Sequence, residues 1–282
     1  MLSIPRYWSR AAGEAVSYEE RTIELVAWGW SDADQAAADA HARERLAAMI
    51  GRVERGEPLP HGYSYGNRPL REELLHELRT GRGEVLGLLT RNAYGCTVLN
   101  AMRAMFLDVD IPSPSLSDRL RGLFGAKRPT PEERALDGVR AALRQVSGGS
   151  FRIYRTAAGL RILATDRTFE PRDPTVELLM TSAAVDPAYA RLCKVQECFR
   201  ARLTPKPWRC SKKRPPARFP FLADGERAKF DAWLVDYEQA ADARATCRLI
   251  EEVGSARVHD DVAPILAVHD DLTRIGSDLP LA

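Results

Sequence analysis

A chain of 282 residues with 45% hydrophobic content has material for one large domain or two modest ones. Its 41 Lys and Arg against 39 Asp and Glu leave a formal net charge of +2, so whole-molecule electrostatics do not argue for a nucleic-acid or anionic-membrane partner, and any basic surface is local. No stretch approaches the ~20 uninterrupted apolar residues of a membrane span, and MLSIPRYWSRAAGEAVSYEE lacks a signal-peptide core. The expectation is a cytoplasmic protein with no membrane partner.

RTIELVAWGW, from Arg21 to Trp30, is β-prone, and SDADQAAADAHARERLAAMIGRVERG is helical, opened by Ser31, so the two form a β-α unit. PLPHGYSYGNRPL connects this unit to REELLHELR, which its composition predicts as a short helix. GEVLGLLTRNAYGCTVLNAMRAMFLDVDIP reads as successive strands turning at Asn92 to Gly95. SPSLSDRLRGLFGAKRPTP, rich in Ser, Pro and Gly, reads as a mobile linker before a helix from about Pro131 to Gln145.

FRIYRTAAGLRILATD predicts a hairpin turning at Ala157 to Gly159. Next come a helix broken near Asp186-Pro187, a strand in CFRARLTPK and a proline-rich basic segment. A helix near Glu226 to Ala243, a strand at ATCRLIEEV and a helix around VAPILAVHDDLTRI close the chain. Hairpins mixed with β-α connections predict an α+β fold: a mixed, largely antiparallel sheet with helices packed on it. The expected division is an N-terminal β-α module over 1–80 and a main domain over 81–282, with a basic loop near 205–220.

The five cysteines have no CxxC spacing and read as reduced thiols. In FLDVDIPSPS, Asp108 and Asp110 lie two apart on a strand, so they share a face about 6 to 7 Å apart at the backbone. Two carboxylates that close repel unless a cation separates them. Either a divalent metal, Mg2+ or Mn2+, bridges them, or Asp108 pairs with an arginine while Asp110 caps the strand end.

Alternation puts Arg152, Tyr154 and Thr156 on one face of their strand, and Arg200 and Arg202 on one face of theirs. Their guanidinium forks suit phosphate or carboxylate oxygens, and Arg161, Lys206 and Arg209 can join them. PKPWRCSKKRPPARF adds six Lys and Arg in 15 residues, with Trp208 and Phe219 interleaved, a composition suited either to phosphate contact and base stacking or to a solvated loop. HDD at His269 to Asp271 reads either as a source of a further acidic ligand or as the exposed face and cap of a terminal helix.

A DxD strand, a Y-x-T-x-x-G-x-x-I hairpin and a basic strand together resemble the catalytic core of the archaeo-eukaryotic primase and primase-polymerase superfamily, over about Ala101 to Lys206. The resemblance implies Asp108 and Asp110 as metal ligands, and Arg161 where that family has a triphosphate-contacting histidine. A third aspartate would come from Asp236, Asp260 or Asp270. The chain as a whole also resembles bacterial proteins with no assigned activity.

These readings give three expectations for function. The first is metal-dependent nucleotide or nucleic-acid processing by nucleotidyl transfer, with DNA or nucleotide as partner. The second is a non-catalytic nucleic-acid-binding or assembly protein on a degenerate version of the fold. The third is a DxD phosphohydrolase with Asp108 as nucleophile.

Overall fold

The computed structural model describes residues 4–17, 19–59, 69–111 and 129–282. Most of the linker expected after Ile111 and most of the connection after Leu59 lie outside the described residues. Among the described residues six α-helices and ten strands form an α+β fold in which every strand ladder is antiparallel, arranged as three sheets rather than one.

The first unit is β1 (Tyr7–Val16), β2 (Thr22–Ser31) and α1 (Gln35–Glu54). A hairpin precedes the helix, because β1, half polar and alanine-rich, pairs with β2 from Tyr7↔Ser31 to Val16↔Thr22. The cap of α1 is Asp34, not Ser31: its side chain accepts the Ala37 N–H at 2.8 Å, while Ser31 ends β2. The helix lies directly on the hairpin backbone. A Cβ added at Gly29 would stand 2.2 Å from the Ala42 nitrogen, which explains the buried small residues Ala38 and Ala42 facing it.

REELLHELR is not a helix. Glu73–Arg79 forms β3, paired with β4 (Val85–Arg91), and pairing overrides the helix-favouring composition. β3, expected within the N-terminal module, is thus a strand of a sheet formed with later segments. β5 (Thr97–Ala101) and β9 (Phe199–Arg202) complete one four-stranded sheet in the order β3-β4-β5-β9. The second four-stranded sheet has the order β10-β7-β8-β6, from β6 (Phe106–Asp110), β7 (Phe151–Thr156), β8 (Gly159–Ala164) and β10 (Cys247–Val253). Register shifts interrupt the pairing of both outer strands, β3 and β10.

The remaining helices are α2 (Pro131–Leu143), α3 (Pro174–Ser182), α4 (Pro187–Gln196), α5 (Glu226–Asp242) and α6 (Ala263–Thr273). Thr130 and Glu133 form a capping box on α2, and Asp186 caps α4 at the expected break. One apolar core joins both four-stranded sheets: Leu99 and Phe199 from one, Phe106, Ile153 and Leu163 from the other, each fully buried. Each such side chain stabilises by about 1.5–3 kcal/mol.

The two sheets meet edge to edge, β6 against β9. The Tyr189 hydroxyl of α4 lies 2.9 Å from the Phe106 carbonyl and 3.0 Å from that of Arg200, sharing its one hydrogen between the two strands. No helix among the described residues is long and apolar enough to cross a membrane.

Candidate functional site

At the seam between the sheets, Asp108 of β6 lies in register with Arg161 of β8, and Arg161 with Tyr154 of β7. Arg161 is 2% exposed and makes a two-point contact with Asp108, Nε to Oδ1 at 2.8 Å and Nη2 to Oδ2 at 3.0 Å. Its third group, Nη1, donates to the Arg202 carbonyl at 2.8 Å. Burial opposes the Arg161 charge, but the Asp108 carboxylate outweighs it and the guanidinium is held more firmly protonated than usual. The register thus selects the arginine partner for Asp108, and a divalent ion there would have to displace or share it. Among the described residues no group of three or more His, Cys, Asp or Glu is placed to hold a metal ion.

Asp110 is exposed at the end of β6. It nevertheless shares one small cavity, about 40 Å³, with Asp108, Arg161, Arg202 and Arg209. Arg202 and Lys206 have their charged forms disfavoured, first by burial and then by neighbouring cations: Arg161 and Arg209 for Arg202, Arg202 and Arg209 for Lys206. Asp110 partly offsets this at Lys206. At the seam three arginines thus face two aspartates across one small cavity.

Of the expected face of Arg152, Tyr154 and Thr156, Thr156 lines the cavity that holds Asp110, whereas Arg152 and Tyr154 turn to another carboxylate. Asp270 of α6 takes both: Arg152 Nη1 donates at 2.6 Å and the Tyr154 hydroxyl at 2.9 Å. Of the three candidate third aspartates, Asp270 sits on the sheet, Asp236 pairs with Lys212 and Asp260 is exposed. The HDD segment is an exposed face only at Asp271: Asp270 is half-buried and His269 is fully buried. His269 Nδ1 lies 2.8 Å from Asp270 Oδ1, and its Nε2 lies 3.9 Å from the Cys247 sulfur.

That order of Cys, His and Asp has the spacing of a nucleophilic triad, but Cys247 and His269 are both 0% exposed. Burial pushes the Cys247 thiol up to about 11, so no thiolate is available. The helical spacing of Ile265, His269 and Thr273 marks one buried stripe, the pattern that reveals His269 as interior.

Burial, and then the charge of Arg161, lower the His269 pKa from 6.5, against the opposing pull of Asp270. The unfolded chain binds this proton first. Stability is therefore full above about 6.5 and falls as pH drops from there towards the depressed folded value, by at most about 1.4 kcal/mol per pH unit. Urea unfolding between pH 7 and 5 measures that slope, and His269→Gln should flatten it.

Arg200, on the same strand face as Arg202, takes a different partner set. Its Nη2 donates to Glu72 Oε1 at 2.7 Å and its Nη1 to Asn100 Oδ1 at 2.6 Å. Asn100 Nδ2 donates to Thr90 Oγ1 at 2.9 Å, and Thr90 Oγ1 donates to Glu72 Oε2 at 2.6 Å, closing a ring of four buried side chains. Glu72, Asn100 and Thr90 carry no local sequence mark, because the ring forms from three neighbouring strands and a preceding loop.

The basic segment begins with a single 3-10 turn at Pro207–Cys210. This turn presents Trp208, 46% exposed, with Tyr94 edge-on at 5.3 Å. Lys206 and Arg214 each lie 5.5 Å from the Trp208 ring centre. Tyr94 is carried by the β4–β5 turn, where Gly95 has φ +77° and packs so tightly on Trp233 that a Cβ would come within 2.5 Å of it.

Compared with known proteins, the chain matches no family model, no curated protein sequence and no solved structure.

Proposed function

We propose that the protein binds single-stranded nucleic acid without catalysis. The observation that supports this most is the exposed ring pair of Trp208 and Tyr94 with Lys206 and Arg214 against it, in the segment that also carries Arg209. Stacking on an aromatic ring is indifferent to sequence, and neighbouring cations follow the phosphates. Fluorescence anisotropy with a labelled single-stranded oligonucleotide tests it. Trp208→Ala should weaken binding by about 5- to 100-fold, the loss of one stacked base. Lys206→Glu with Arg209→Glu should weaken it further and flatten its salt dependence. If wild-type protein does not bind at low salt, the proposal fails.

A second reading, metal-dependent nucleotidyl transfer in the manner of primase-polymerases, is favoured by the cavity that gathers both aspartates with three arginines. Against it stand the two-point contact of Arg161 on Asp108 and a volume near 40 Å³, too small for a triphosphate. Titration of Mn2+ into wild type and Asp110→Asn, with and without a nucleoside triphosphate, separates the readings. Tight binding that the substitution abolishes and the nucleotide strengthens would favour the enzyme.

A further inference from the structure

A cleft outside the seam lies between the N-terminal hairpin, the β4–β5 turn and the basic loop, with a volume of about 550 Å³. That is within the usual range for small-ligand sites. Trp28, Tyr94 and Phe219 supply aromatic wall, and Arg71, Arg214 and Arg218 supply cations. Arg71 stacks over Trp28 at 4.1 Å, and Arg214 lies 5.6 Å from the Tyr94 ring centre.

Charge in this cleft is one-sided. Glu72 is the only acid among the described lining residues, and both its oxygens are committed to the buried ring with Arg200 and Thr90. No ion pair joins Arg214 or Arg218 to an acid among the described residues, whereas Arg140, Arg152 and Arg227 each hold two acids. The floor is rigid for the same reason that Glu72 is silent: every member of the ring holds two others. Asn92 and Gln196 add amide-bearing side chains to the wall.

Flat aromatic surface, surplus guanidinium and a fixed polar floor together suit a planar ring carrying a dianion. A monocarboxylate would answer only one of the two charges of Arg214 and Arg218. We propose that this cleft binds a single nucleoside monophosphate, with the base against the aromatic wall and the phosphate between Arg214 and Arg218. The site goes beyond the polymer surface at Trp208, with which it shares only Tyr94 and Arg214 as walls.

Calorimetric titration of nucleoside monophosphates, the matching nucleosides and inorganic phosphate into the full chain tests this, with tryptophan fluorescence as a second readout. A monophosphate should bind, and its nucleoside and inorganic phosphate should each bind at least 10-fold more weakly. Arg218→Glu, at an exposed position that leaves the fold intact, should weaken the monophosphate at least 10-fold, and Trp28→Ala should do so as well. Trp208→Ala should weaken the oligonucleotide more than the monophosphate.

No heat with any monophosphate overturns the proposal, whatever the oligonucleotide does. Monophosphate binding that is lost in Trp208→Ala and kept in Arg218→Glu also overturns it, by moving the ligand to the polymer surface. Loss of oligonucleotide binding alone would sink the polymer reading and leave the cleft standing.

Discussion

Alanine in place of Glu72 is expected to lower folding stability by about 4 kcal/mol, read from urea unfolding. Glu72 and Arg200 have side chains only 11% and 10% exposed, so the guanidinium left behind could not be rehydrated in place. Thr90 would lose the acceptor of its hydroxyl hydrogen as well. The cost is that of an orphaned charge rather than the net worth of the pair, and the double variant Glu72→Leu, Arg200→Met shows the difference. It should recover more than half of the loss, because two apolar side chains replace two ions and only Asn100 and Thr90 remain short of partners. A loss below about 1 kcal/mol for Glu72→Ala would mean that water reaches the ring.

Asp108→Ala should cost about 3 kcal/mol, less than the Glu72 variant because Asp108 is 32% exposed while Arg161 is 2% exposed. Arg161 would keep its contact with the Arg202 carbonyl and lose both contacts to the carboxylate. Asp110→Ala, at an exposed strand end, should stay within about 0.5 kcal/mol. This asymmetry distinguishes an ion pair from a shared metal site. Two ligands of one ion would respond alike, and added Mn2+ would stabilise wild type but neither variant. Thermal melts with and without Mn2+ decide the matter.

Much of the fold is legible in the sequence wherever an element carries its own pattern. The run FLDVD, the turn before Gly159 and the break at Asp186-Pro187 are local facts, and the strands and helices around them fall where expected. β1 and β3 escape because neither looks like a strand by composition: one mixes small and polar residues, the other is built from Glu, Leu, His and Arg. Each becomes a strand by pairing with a neighbour, and pairing is not written in single residues.

The candidate site divides in the same way. That Asp108 needs a cation follows from its apolar flanks, but whether this is a metal or an arginine depends on the register of β6 on β8. Arg200 and Arg202 share a strand face as alternation requires, yet one enters a closed ring with Asn100 and Glu72 and the other lines the seam with Asp108 and Arg161, partners that only the tertiary fold brings together. His269 was hidden by its acidic neighbours, which make an interior helix stripe look like a surface.

The edge-to-edge seam also bears on how copies of this chain meet. Each four-stranded sheet has two rims, and Tyr189 stitches the rim of β6 to that of β9, so neither offers open backbone to a stranger. The two rims left over, β3 and β10, are broken by register shifts and carry charged side chains such as Glu73, Glu77, Arg248 and Glu252. An incoming strand would find an interrupted ladder there, which discourages the stacking that leads to fibrils.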